Sequence, residues 1–447
     1  MATHSTSPGQ SQRGAAAQTA GRSGRAGLEE HISRLRGVLE PALACRGSES
    51  LRLASDFALG RISAETVRAP VALPSFDNSQ MDGFALRRAD RRADDDAGFT
   101  LPLAGVVSAG SPAPELPAGA CMAVMTGAPV PAGADLVVPV EKTEEGFAVL
   151  EDLQHRRKTE VQFVSLAEQD GESGRFIRRA GSDVTAGEAV LRPGEVLTPA
   201  RLGLLAACGI ADVSVRQQVR TLVVATGEEI RAPGDPLEPG QIYDANGPLI
   251  RAACQGFGHA VTVAQVASDS PSAFTTQLDS LLTDHCPHLV ITAGGISAGA
   301  YEVVRQALTG RGVEFGSVAQ QPGGPQGWGM LDSAGGPAAL VALPGNPVSC
   351  AVSLETLLRP ALAELDPGCP RQRRASVRVG ERLSSPPGLR QFRRVELRDG
   401  DGAPVAVPVG GPSSHLIGHL AAADALLELY EDDIDVQPGT IREAILL

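Results

Sequence analysis

The stretch HLVITAGGISAG, residues 288–299, decides the fold class: an unbroken apolar run ends in a loop carrying three glycines. A strand that alternates apolar and polar residues has one wet face, whereas a strand apolar throughout is buried on both faces. Three further runs of this kind are TLVVAT (221–226), AVTVAQV (260–266) and PAALVAL (337–343). The spacing between them predicts helices over 246–256, 272–285 and 300–310. Such alternation points to an α/β domain with a mainly parallel sheet. Ligands of these sheets bind at the carboxyl ends of the strands. The loops that end two of the runs, GGISAG (294–299) and LPGNPVS (343–349), therefore mark the candidate site.

Both loops suit an anion. In the first, Gly294, Gly295, Ser297 and Gly299 offer successive backbone N–H groups near a helix N-terminus. The same glycines also fit a plain turn needing backbone freedom. In the second, Pro344, Gly345, Asn346 and Pro347 form a stiff strand-to-helix turn, with Asn346 expected as N-cap and Pro347 as the first helical residue. Four acids, Glu228, Glu229, Asp269 and Glu302, stand at the ends of neighbouring elements. Together they suggest Mg²⁺ shared with ligand phosphate oxygens; singly, each reads as a solvated loop acid. The segment between the two loops, FGSVAQQPGGPQGWG (315–329), contains no positive charge.

Composition narrows the partners. The formal net charge of −13 argues against nucleic-acid binding, which needs clustered Lys and Arg. It also means that local donors must hold any anion against the overall field. Only Lys142 and Lys158 are lysines, against 37 arginines. Seven cysteines lack any CxxC or Cys/His spacing, which fits thiols in a reducing cytoplasm better than disulfides or a zinc site. No apolar run reaches the roughly 20 residues of a membrane span, and no signal-peptide core is visible.

Five divisions follow along the chain. Residues 1–26 read as a disordered tail. Residues 27–69 with 170–218 form a linking domain, containing a helix over 28–46 and another over 198–208. Residues 70–169 form a β-rich insertion, 219–367 the α/β domain, and 368–447 a small, barrel-like β domain. Within the insertion, FDNSQMDGFAL (76–86) and MTGAPVPAGADLVVPVEKTE (125–144) are more elaborate than turns require, and they place Asp82 and Thr126 in tight, partly apolar turns. IRRAGSD (177–183) groups Arg178 and Arg179 with Asp183, which also reads as a surface charge cluster.

In this order, DNSQMDGFAL, MTGAPVPAGADLVV, RRAGSDVTAGE, TGEEI…GQIYDAN, GGISAG…YE and LPGNPVS resemble the molybdopterin molybdenumtransferase family, which includes the gephyrin E domain. The resemblance covers essentially residues 28–447. It implies an elongated homodimer of four-domain subunits. The implied site lies in a cleft between the α/β domain of one subunit and the β-rich insertion of the other. There molybdate is inserted into adenylylated molybdopterin, with Mg²⁺, and AMP is released. By matching motif position, Asp82, Thr126, Asp183 and Glu229 take catalytic roles, with Asp269, Pro344, Pro347 and Ser414 at the same site. A cytoplasmic setting and contacts with other molybdenum cofactor biosynthesis proteins are implied as well.

The chain also departs from the family pattern. Glu228 and Glu302 stand where Asp is usual, and Ala300 where an acid is common. Ser317, Gln321 and Gly324 stand where the family has lysines, leaving Arg305, Arg251 and Arg178 as candidate replacements. A second reading is consistent with these changes: a paralogue that binds a pterin, a nucleotide or a partner protein without turnover.

Overall fold

The structure is a computed structural model. It describes residues 24–55, 57–91, 98–146, 148, 159–164, 166, 171–268, 270–296 and 302–447. The chain divides into two compact units. Among the described residues, one comprises 24–49, 60–62 and 216–447; the other comprises those within 50–59 and 63–215.

The first unit is built on a six-stranded sheet. Four strands run parallel in the spatial order Ala260–Val266, Arg220–Thr226, Leu289–Ala293, Gly336–Leu343. An antiparallel pair, Pro325–Ser333 and Val313–Ser317, continues the sheet beyond Gly336–Leu343. The three central parallel strands are buried almost throughout, as their unbroken apolar runs require. The run at 260–266 departs from that expectation. It is an edge strand and only partly buried, with Val261 and Val263 against one core and Ala264 and Val266 against the other.

Alternate residues of the sheet feed two cores. Val223, Ile291 and Val341 point into one core, closed by helices Leu28–Ala44 and Asn246–Gly256 and by the segment that starts at Pro347. Leu222, Val224, Val290 and Leu340 point into the other, closed by helices Pro271–His285 and Val303–Leu308. From Arg220–Thr226 the chain goes outward to Ala260–Val266, then returns past its start to Leu289–Ala293. The two crossovers run in opposite directions, so right-handedness puts their helices on opposite faces.

Helix Leu28–Ala44 differs from its expected place in the linking domain. Its apolar stripe, Leu28, Leu35, Leu39, Ala42 and Leu43, is buried in the first of these cores. The expected tail is also shorter at its inner end: Ala26 exchanges backbone hydrogen bonds with the 317–319 segment, at 2.9 and 2.8 Å. Residues 1–23 lie outside the described residues.

The C-terminal β domain belongs to the same unit and closes into a five-stranded barrel. Its strands run Arg390–Arg398, Val405–Pro408, Arg374–Val379, Ile441–Leu446, Ala425–Leu429 and back to Arg390–Arg398. A two-residue strand, Gln320–Gln321, pairs parallel with the start of Arg390–Arg398, so the lysine-free segment joins sheet and barrel.

In the second unit, the β-rich insertion is a five-stranded sheet in the order Leu136–Pro139, Gly83–Leu86, Cys121–Val124, Phe99–Val107, Glu160–Phe163. Phe84, Phe99 and Phe163 anchor it, with the Phe99 and Phe163 rings stacked 4.7 Å apart. The linking segments 50–59, 63–69 and 171–215 fold into this same unit. They supply helix Pro199–Ala207, capped by the Thr198 hydroxyl accepting from the Arg201 N–H.

Three histidines of the first unit are buried: His31, His259 and His288. Burial first, with nearby arginine charge, pulls each pKa down to about 4. His31 lies edge-on to Trp328, with neither ring nitrogen partnered. Each ring is neutral when folded, and in the unfolded chain it takes a proton below about pH 6.5. The unfolded state therefore binds more protons between pH 6.5 and 4, and stability falls as pH drops through that window. The loss is roughly 1.4 kcal/mol per group per pH unit. Urea unfolding from pH 7 to 4.5 is expected to yield a shallower pH slope, by about one proton, in His31→Leu than in the wild type.

Candidate active site

The three central parallel strands end in step. Ala225 is level with Ala293, and Ala293 with Leu343, so the loops after them emerge side by side. This is the switch point of the sheet, where a crevice opens because the neighbouring connections leave in opposite directions. A cavity of about 850 Å³ occupies it. Thr226 and Glu229 of the first loop, Gly294 and Gly295 of the second, and Pro344, Gly345 and Asn346 of the third line its floor. Pro412, Ser413 and Ser414, beyond strand Val405–Pro408, close one side, and Gln321, Pro322 and Gly323 another.

Local packing explains the glycines. Gly294 and Gly345 touch: a Cβ on Gly345 would stand 3.3 Å from the Gly294 Cα. Gly295 adopts φ +65°, and a Cβ there would meet Val304 at 2.9 Å. Two loops can approach this closely only without side chains between them. The Thr226 hydroxyl donates to the Ala293 carbonyl at 3.3 Å, linking the first loop to the end of the next strand.

The third loop is pinned from two directions. Asn246 donates to the Gly345 carbonyl at 2.7 Å, and Asn346 donates to the Ser414 hydroxyl at 3.0 Å. Asn346 occupies the N-cap position and Pro347 the first helical position, as expected, but the Asn346 side chain caps nothing. It holds Ser414 instead. Asp244 accepts from the Gly247 N–H at 2.9 Å and orders the start of the helix carrying Asn246. The string DAN thus has a mechanical role that its sequence did not disclose.

The acids divide. Glu229 and Glu302 line the cavity, with the Glu229 carboxylate folded over Gly227. Glu228 is exposed and does not line it; its carbonyl accepts from Arg231 at 2.8 Å. Asp269, Ser297 and Gly299 lie outside the described residues. Among the described residues no group of three His, Cys, Asp or Glu is placed to hold a metal ion.

No cation lines the cavity among the described residues. Of the three positions where lysine was expected, Gln321 lines it, whereas Ser317 and Gly324 do not. Among the candidate replacements, Arg251 is exposed on its helix, and Arg305 lies over the Phe315 ring at 5.7 Å. Positive charge stands one layer back. Arg394, 4% exposed, donates to the carbonyls of Gly411 and Ser413, behind the lining loop. Arg393 donates to Gln391, which donates to Gln321. Burial, and for Arg393 the adjacent Arg394 charge, hold both guanidinium pKa values below the ordinary arginine value. Nothing in QFRR marked these residues, because only the parallel pairing of Gln321 with Gln391 brings them to the site.

In the second unit, Asp82 and Thr126 are brought together. The Asp82 carboxylate accepts from the Thr126 N–H at 2.6 Å and from its hydroxyl at 2.8 Å. Asp183 is exposed on a separate turn, its N–H donating to the Leu73 carbonyl. The expected grouping of Arg179 with Asp183 is replaced by an ion pair with Asp77 at 2.6 Å. Asp77 also accepts from the Ala180 N–H, and these contacts, the backbone one foremost, hold its carboxyl below the usual range.

Three family models match consecutive stretches of the chain. They are the MoeA N-terminal region (domains I and II) over residues 26–209, a probable molybdopterin binding domain over 222–364, and the MoeA C-terminal region (domain IV) over 376–447. The chain belongs to the MoeA family. It is 41% identical to molybdopterin molybdenumtransferase 2 of Mycobacterium tuberculosis, over 92% of this chain and 97% of that one. It is 34% identical to the molybdopterin molybdenumtransferase of Haemophilus influenzae, over 69% and 71%. In structure it is similar to a molybdopterin biosynthesis MoeA protein from Pyrococcus horikosii, with TM-score 0.73 and 26% identity, over 94% of this chain and 99% of that one.

A MoeA chain with this loop packing tolerates little change at the switch point. Gly295→Ala forces a left-handed alanine against Val304 and is expected to lower unfolding free energy by about 1–3 kcal/mol. Gly345→Ala, at 3.3 Å and ordinary φ, is expected to cost less. Chemical denaturation of the two variants side by side checks the order.

Proposed function

We propose that this protein transfers molybdate into adenylylated molybdopterin with release of AMP, a step of molybdenum cofactor biosynthesis. The observation that carries this reading is the cavity at the switch point. It is framed by two glycine loops and the 412–414 loop, and is large enough for a pterin with its phosphates. The MoeA models along the chain and the relatives named molybdopterin molybdenumtransferase support it.

The pterin and nucleotide phosphates lie against the backbone of Gly294, Gly295, Gly345 and Asn346, and Ser414 orients them through its bond with Asn346. Mg²⁺ binds most often through one or two carboxylates together with substrate phosphates, and Glu229 and Glu302 are the cavity acids that would hold it. A cation held by these two carboxylates would supply charge neutralisation at the phosphate link between pterin and AMP. The Asp82–Thr126 pair and Asp183 act in the same reaction, Asp82 fixing the Thr126 hydroxyl in one orientation. The protein works as a cytoplasmic homodimer. Among the described residues no helix is long and apolar enough to cross a membrane, and sedimentation of the purified protein measures the assembly.

The test is molybdate-dependent AMP release from adenylylated molybdopterin by the purified protein. AMP release from the wild type is expected, with kcat/KM lowered about 100-fold in Glu229→Gln and about 100-fold in Asp82→Ala, which frees Thr126. Absence of release by the wild type, with the pterin still bound, overturns the transferase reading in favour of a binding paralogue.

A further inference from the structure

We propose that Gln321 is an oxyanion-binding donor of the cavity and that Arg393 is its positioning residue, acting through Gln391. The proposal rests on reading the cavity as a phosphate-bearing pterin site, and deepens it. It supplies a donor for an anion in a cavity whose wall, among the described residues, holds no cation.

A glutamine amide accepts at one end and donates at the other, and it can turn over. An arginine side chain only donates. The Arg393 Nε–H group donates to Gln391 Oε1 at 2.7 Å, so the Gln391 Nε2 must face away from Arg393. There it donates to Gln321 Oε1, again at 2.7 Å. The Gln321 carbonyl is thereby occupied, and its NH2 is the polar end left for the cavity that Gln321 lines. Turning Gln321 over would set two NH2 groups against each other. Gln391 is 2% exposed, so water does not take up the mismatch.

The relay has a fixed origin. Arg393 also donates to the Ser384 carbonyl at 2.8 Å, and no carboxylate pairs with it among the described residues. Its charge is therefore not cancelled locally, and it polarises each amide in turn. The parallel pairing that sets Gln321 beside Gln391 makes the first link, and a two-residue step along Arg390–Arg398 makes the second. The ligand class is a tetrahedral oxyanion, phosphate or molybdate.

Titration calorimetry on the full chain, with AMP alone and with molybdate alone, separates the two sources. Gln321→Leu is expected to weaken the anion held at this point by about 10- to 100-fold, the size of a hydrogen bond to a charged group. Arg393→Leu is expected to weaken the same anion by about 10-fold. In the Gln321→Leu background, Arg393→Leu is expected to cause no further loss, because the relay ends at Gln321; a merely structural role for Arg393 lowers affinity in both backgrounds. If Arg393→Leu does not fold, Gln391→Glu serves: it keeps the Arg393 contact but turns the Gln321 carbonyl toward the cavity, with the same loss. Wild-type affinity for both anions in Gln321→Leu, or a further loss from Arg393→Leu in that background, overturns the relay. A wild type that binds an oxyanion through Gln321 yet releases no AMP sinks the transferase reading and leaves the relay standing.

Discussion

The site depends on one constraint, the common level at which strands Arg220–Thr226, Leu289–Ala293 and Gly336–Leu343 end. A parallel ladder spaces residues evenly, so once the register is set the three following loops must leave side by side. Register in turn is held by burial on both faces, because a slip of one residue would exchange the two cores. The contact between Gly294 and Gly345 is the visible result: two backbones meet where no side chain intervenes.

Electrostatics follow from that frame. The cavity wall holds Glu229 and Glu302 and, among the described residues, no cation, within a chain of net charge −13. Positive charge is supplied from behind, by Arg393 and Arg394, whose partners are carbonyls and an amide. A guanidinium satisfied by neutral acceptors keeps its field, whereas one paired with a carboxylate largely loses it. The wall of the cavity is thus acidic among the described residues, with two guanidinium charges that no carboxylate pairs standing behind it.

Much was legible along the chain. Four apolar runs announced the parallel sheet, and each lies in a strand of it; the helices over 246–256 and 271–285 fall close to where spacing placed them. Glycine loops at strand ends named Gly294, Gly295, Gly345 and Asn346, all of which line the cavity. Helix Leu28–Ala44 was visible as a helix, but its destination was not, since an apolar stripe states that it must be covered and not by what. Glu228 and Glu229 read alike as neighbours, yet only one lines the cavity, because consecutive residues of a turn point apart.

Sequence alone determined the class of the α/β unit, the position of its glycine loops and the membership that its strings imply, since these rest on local periodicity and contiguous motifs. Tertiary structure decided the rest. Gln321 and Gln391 stand 70 positions apart and meet only through a parallel pairing between a two-residue strand and the barrel. Asn246 and Asn346 resemble ordinary helix starts, and become braces of one loop only when the switch point brings their helices together. Side-chain chemistry is written in the chain, but what a hydrogen bond reaches depends on which strands lie adjacent.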